Sequence, residues 1–319
     1  MSRHWAATKE AGALKGMRFM VWTYSFIGRP AFSFALFFVM VYFYFRRGNA
    51  RRASKEYLLR VKRCYPEAIG NGSIIWLSYR HFFAFGQSLL DKYLAWAETP
   101  SGIDMDSAEL EMLYAAAESE RGCLLIGSHF GNLEYSRGIA HRHPGLVINV
   151  LIYDQHAKKF AALIEESDPE SRMHLIQVTN LDFELALQLQ GKVQRGEWVM
   201  IAGDRVPVGG QGRTCEATFF GDRARFPIGP YVLANLLRCP VYLLHCFKVK
   251  DHYHLAMEFF EEEIRLPRKA RQQACEIAAQ KFASALEKQV ATAPLQWFNF
   301  FDFWGSHDPS DSQANRSAR

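Results

Sequence analysis

The sequence predicts an α/β fold: a layered domain with a mostly parallel central sheet flanked by helices, preceded by a membrane-associated helical N-terminus. Three observations carry this. From Cys123 onward, short apolar runs of strand length alternate with longer helical stretches, the pattern of parallel strands joined by crossovers. Ahead of them, in residues 48–100, Tyr57, Trp76, Tyr79, Phe82, Phe83, Phe85, Tyr93 and Trp96 recur at roughly helical spacing. At the start lie two apolar, aromatic runs with arginines beside them. The expected division is an N-terminal anchor over residues 1–47, one main domain over 48–305, and a polar tail over 306–319 expected to be disordered.

The two N-terminal runs are Phe19–Ile27 and Ala31–Phe45, separated by Gly28-Arg29-Pro30. As a helix the second run is about 22 Å long, short of a hydrocarbon core of about 30 Å. A short or kinked anchor fits, as does a helical hairpin dipping into one leaflet. A buried hairpin inside a soluble protein is the alternative. Residues 1–63 carry thirteen Lys and Arg against Glu10 and Glu56, so a chain of net charge +5 holds +11 here and −6 elsewhere. Charge of that sign beside aromatic runs suits an anionic membrane face, and no recognisable nucleic-acid module accompanies it. Arg46, Arg47, Arg51 and Arg52 place residues 46 onward on the cytoplasmic side.

A 49% hydrophobic content can fill a core without disulfide or metal support. The six cysteines show no paired spacing, which fits a reducing compartment. Residues 106–119 read as a helix closed by Arg121-Gly122. Strands are expected at Cys123–Gly127, Leu146–Ile152, Leu175–Val178, Trp198–Ala202, Glu216–Phe220, Val241–Lys248 and Tyr253–Phe260. Helices are expected at Asn132–Ala140, Ala157–Glu166, Asp182–Val193, Tyr231–Leu237 and Arg268–Ala291. The segment Gln296–Trp304 holds six aromatics in nine residues, suited equally to a core or to a membrane interface.

Chemistry is concentrated in Gly127-Ser128-His129-Phe130-Gly131-Asn132-Leu133-Glu134, at a strand-to-helix turn. On an unbroken helix, residues five apart point about 140° away from each other. His129 and Glu134 can therefore meet only if His129 precedes the helix. In that arrangement the imidazole takes a proton from an attacking hydroxyl, while the carboxylate holds its other N–H. A helix-capping histidine beside an unrelated glutamate is the other reading.

The Ser128–Glu134 stretch resembles the His-x4-Asp/Glu motif of the lysophospholipid acyltransferase superfamily, in particular the branch of the bacterial late acyltransferases of lipid A. Three further blocks follow in order: Ala202–Pro207 with Asp204, Phe219–Pro230 ending in Pro227-Ile228-Gly229-Pro230, and Cys239-Pro240-Val241. The likeness covers most of residues 1–305. It implies an O-acyltransferase on the cytoplasmic side of a bacterial inner membrane. The implied donor is an acyl thioester, on acyl carrier protein rather than coenzyme A. The implied acceptor is a hydroxyl of a lipid or glycolipid. His129 would be the base and Glu134 its partner, with Asn132, Asp204, Arg205, Phe226, Pro227, Gly229 and Pro230 binding substrates.

Neither cofactor nor metal is expected, since a thioester is already activated. His141 and His143 lack a matching third ligand, and no nucleotide fingerprint occurs. The residues alone also allow Asp204 and Arg205 to be a structural pair, and Phe226–Pro230 a plain strand-to-helix turn. One departure stands out: Asp154 follows Tyr153 where the lipid A branch has arginine, so the sequence is similar also to relatives acting on other acylated lipids, including aryl-polyene-type pigments. A thioesterase on the same site, or a non-catalytic membrane-tethered scaffold, are the alternatives.

Overall fold

The computed structural model describes residues 24, 28–97, 103–136, 138–139, 143, 145–152, 173–178, 183–206 and 213–305. Most of Phe19–Ile27, Asp154, the expected helix Ala157–Glu166, Pro207–Gly212 and the tail from 306 lie outside them.

The first helices are α1 (Arg29–Arg46), α2 (Gly48–Cys64), the single turn α3 (Pro66–Ile69) and α4 (Ile74–Ala97). Pro30 in the first turn of α1 costs nothing, because the N–H it lacks would have no partner there. Phe32, Leu36, Met40 and Tyr44 recur every fourth residue, so they share one face. That face packs on Tyr79, Phe82 and Leu90 of α4, and burying each such side chain stabilises by about 1.5–3 kcal/mol. The opposite face is equally apolar yet open: Phe34, Phe38, Tyr42 and Phe45 are 57–72% exposed. A hairpin buried within this chain would not leave them so. Among the described residues no single helix is long and apolar enough to cross a membrane, and α1 and α2 meet at a 97° bend.

A seven-stranded sheet follows, in the order β1-β9-β8-β2-β5-β3-β4. Its strands are β1 (Ile103–Asp104), β2 (Leu124–Gly127), β3 (Ile148–Ile152), β4 (Met173–Gln177), β5 (Trp198–Ala202), β8 (Val241–Val249) and β9 (His252–Glu261). Strands β8, β2, β5, β3 and β4 run parallel, β9 is antiparallel to β8, and β1 follows β9. Helices α5 (Ser107–Glu118), α6 (Phe183–Gln194), α7 (Gly229–Leu237) and α8 (Arg271–Thr292) complete the layers. The expected α/β architecture with a mostly parallel sheet is present. Leu124, Leu125 and Ile126 are fully buried, as a strand covered on both faces requires.

Two expectations are corrected. The helix from Asn132 opens as a tight 3-10 turn, Leu133–Ser136, after the backbone N–H groups of Gly131 and Asn132 are taken by Gln296 and Cys246. The block 219–230 holds a strand that the apolar pattern did not show. β6 (Thr214–Phe219) and β7 (Asp222–Pro227) form a hairpin closed by Phe220-Gly221, both with positive φ. Such a two-residue turn matches strand twist. Phe220 is held in it by donating its N–H to Glu287 and accepting from Arg63.

Candidate active site

Register builds the site. β2 and β5 are neighbouring parallel strands, and Gly127 is aligned with Ala202 at their carboxyl ends. Two residues beyond that pair lie His129 on one chain segment and Asp204 on the other. Open α/β sheets place ligands in the crevice beyond these strand ends.

Asp204 is completely buried and accepts four hydrogen bonds. Its Oδ1 takes His129 Nδ1 at 2.7 Å. Its Oδ2 takes the His129 backbone N–H at 2.9 Å, Trp297 Nε1 at 3.0 Å and Asn299 Nδ2 at 2.9 Å. An ionised carboxylate accepts only, so Nδ1 carries the ring proton and Nε2 the lone pair. No described residue hydrogen-bonds Nε2, and a third of the side chain is open. Burial penalises the Asp204 charge, but the His129 ring and the Arg205 guanidinium outweigh it and hold the carboxyl well below its usual range. Burial, then Arg205 and more weakly Lys92, push His129 below its ordinary value against the pull of Asp204. The ring is therefore neutral near pH 7, as a base must be.

Glu134 does not hold the ring. It pairs with Lys92 of α4, because the 3-10 turn directs it toward that helix rather than back over His129. Asn132 is almost fully buried. With its amide turned so that the N–H faces the carboxylate and the oxygen faces a donor, it donates to Glu134 Oε2 at 2.6 Å and accepts from the Lys92 backbone N–H at 3.1 Å, an orientation that braces the Glu134 side chain. Arg205 donates to Asn299 Oδ1 at 2.6 Å and to the Phe298 carbonyl at 2.7 Å, and burial lowers its pKa only to about 10, so it stays charged. Phe226 is sealed among Phe219, Phe282 and Phe303. Pro227 ends β7, and Gly229 and Pro230 open α7. The structure brings His129, Asp204 and Arg205 together, and it places Phe226 in the core instead.

Sequence reasoning missed the segment 296–299 as a site element. It bridges to Phe130 at Trp297, and Phe298 donates its N–H to the His129 carbonyl at 2.8 Å. The signal was present: Asn299 is a lone amide inside an aromatic run. On its other side the turn runs close against β8, which Gly131 makes possible. Its φ is +72°, and a Cβ there would lie 2.0 Å from the Cys246 carbonyl oxygen.

The family model described as bacterial lipid A biosynthesis acyltransferase matches residues 20–305. The chain belongs to this family. The resemblance carried by Ser128–Glu134 and the later blocks thus holds over nearly the whole described fold. Membership makes the protein an acyltransferase with a lipid acceptor. No curated protein matches the chain.

Proposed function

We propose that the chain moves a fatty acyl group from a thioester on acyl carrier protein to a hydroxyl of a membrane lipid or glycolipid. It would do so at the cytoplasmic face of a bacterial inner membrane. The observation that carries this reading is a neutral imidazole at a strand-end crevice, oriented by a buried carboxylate, with Nε2 facing outward. His129 Nε2 takes the proton of the acceptor hydroxyl as its oxygen bonds to the thioester carbonyl carbon. Asp204 stabilises the imidazolium that forms. As the tetrahedral intermediate collapses the carbon–sulfur bond breaks, and the thiolate leaves with the proton returned from Nε2. Neither cofactor nor metal enters these steps.

The open apolar face of α1, with Arg46 and Arg47 at its end, suits shallow insertion with cations at the headgroups. An acceptor confined to the bilayer would then meet the site at high local concentration. The test compares total lipids by mass spectrometry from cells making wild-type or His129→Ala protein. A lipid heavier by one acyl group, present only with wild type, is expected, the variant losing about 10²–10⁴-fold in rate. If both forms are folded and abundant and the acylated lipid persists undiminished in the variant, His129 is not the base.

A further inference from the structure

The contacts that meet Asp204 from the far end of the chain are more than packing. We propose that Trp297 and Asn299 are positioning residues, which aim His129 and set how strongly Asp204 pulls on the ring N–H. The inference rests on the reading of His129 as a general base.

Asp204 Oδ2 receives three N–H donors, and two of them are the side chains of Trp297 and Asn299. Each donor withdraws charge from the carboxylate, which weakens its hold on the imidazolium and keeps the imidazole free to accept a proton only from substrate. Asn299 is bifunctional. Its Nδ2 donates to Asp204 while its Oδ1 accepts from Arg205 Nε at 2.6 Å, so one amide fixes the carboxylate and the cation that act on the ring. The amide cannot turn over, since a flip would face its oxygen to the carboxylate and its N–H to the guanidinium.

Trp297 is itself braced. Its carbonyl accepts from His81 Nε2 at 2.9 Å, and Ser54 Oγ donates to His81 Nδ1 at 3.0 Å. The indole lies at 4.9 Å from the Tyr57 ring and 5.3 Å from the Phe219 ring, so its N–H has little freedom to point elsewhere. The other titratable groups facing this centre, among the described residues, are Arg205 beyond β5, Lys92 on α4 and His245 on β8. None of them donates to Oδ2.

The experiment is a ¹⁵N-histidine NMR titration of the full chain in detergent micelles, with the His129 signal assigned by His129→Gln. Asn299→Asp keeps the Arg205 acceptor and the shape but replaces the donor with a second carboxylate. It is expected to raise the His129 midpoint by about one pH unit. Trp297→Phe keeps an aromatic ring in the core and loses one donor, with an expected rise of about half a unit. In both, the acid limb of acyl transfer moves up with the ring. Asn299→Asp also adds a charge that would lift the ring by itself, so Trp297→Phe, which adds none, discriminates: there a merely structural role would lower activity and leave the titration where it was. Cooperatively melting variants with unmoved midpoints overturn the proposal, and Trp297→Phe decides if Asn299→Asp does not fold. Because the ring is read directly, a shifted midpoint without acyl transfer upholds the clamp and refutes the proposed reaction. Acyl transfer with an unmoved midpoint does the reverse.

Discussion

Glu134 is the carboxylate that the sequence offers His129 and Asp204 the one that the fold supplies, and the two are treated in opposite ways. Asp204, seventy-five residues away, is sealed from solvent and carries the ring on Oδ1. Glu134, five residues away, is partly exposed and spends its charge on Lys92. Nearness along the chain decides nothing here, because the intervening turn points the side chain elsewhere. Register between two parallel strands puts distant residues side by side. The contrast also separates two kinds of electrostatics: a sealed carboxylate whose two oxygens are both satisfied, and a partly exposed pair screened by water and salt.

The sharpest way to break this comparison is to neutralise each carboxylate in turn. Asp204→Asn is expected to lower kcat/KM by about 10³-fold, since the amide no longer fixes the tautomer. Glu134→Gln is expected to cost less than about tenfold. Equal losses in a steady-state assay, or the reverse ranking, would restore Glu134 as the partner of the ring.

Two glycines give a second contrast, read by thermal melting. Gly131→Ala forces a Cβ against the backbone carbonyl of Cys246 at positive φ, and loss of the folded turn is expected. Gly86→Ala puts its Cβ 2.8 Å from Leu36 Cδ1 and 3.0 Å from Met40 Sδ, both ends of flexible side chains. A change within about 1 kcal/mol is expected there, because alanine also favours the helix. A large loss at Gly86 would show that α1 is seated on α4 more rigidly than its open outer face suggests.

The histidines sharpen the same distinction between sealed and open groups, with a gentler effect. Burial pushes His81 down to about 3 and His245 down to about 4. Both stay neutral in the folded protein but take up a proton when the chain unfolds below about pH 6.5. The unfolded state thus binds more protons, and stability is lost as pH falls from about 6.5 toward about 4. Each ring contributes a slope of about 1.4 kcal/mol per pH unit in that window. Melting temperatures at stepped pH check this. A stability that stays flat between pH 6.5 and 4.5 would mean the rings are protonated while folded.

The sheet was legible because its strands are short apolar runs bounded by turns, and Trp198–Ala202 was placed to the residue. β7 was not, because Arg223 and Arg225 alternate with Ala224 and Phe226 and break the apolar run. Its partner face is hidden until the hairpin closes. His129 was legible from its motif and Asp204 from its block, but their pairing depends on which strands are neighbours. No spacing rule contains that. The aromatic run at 296–304 was seen as unusual, yet core and membrane interface give the same composition. Only burial separates them, and Trp297 is wholly enclosed.

The distance along the chain between Asp204 and its last two donors, 93 and 95 residues, has a consequence for how the protein comes to be made. Chains emerge from the ribosome N-terminus first. His129 and Asp204 are both synthesised well before residues 297–299 exist. During that interval the carboxylate lacks two of its donors and the crevice lacks one wall. The hydrogen-bond set of Asp204 is thus completed late, with the segment that closes over the strand ends.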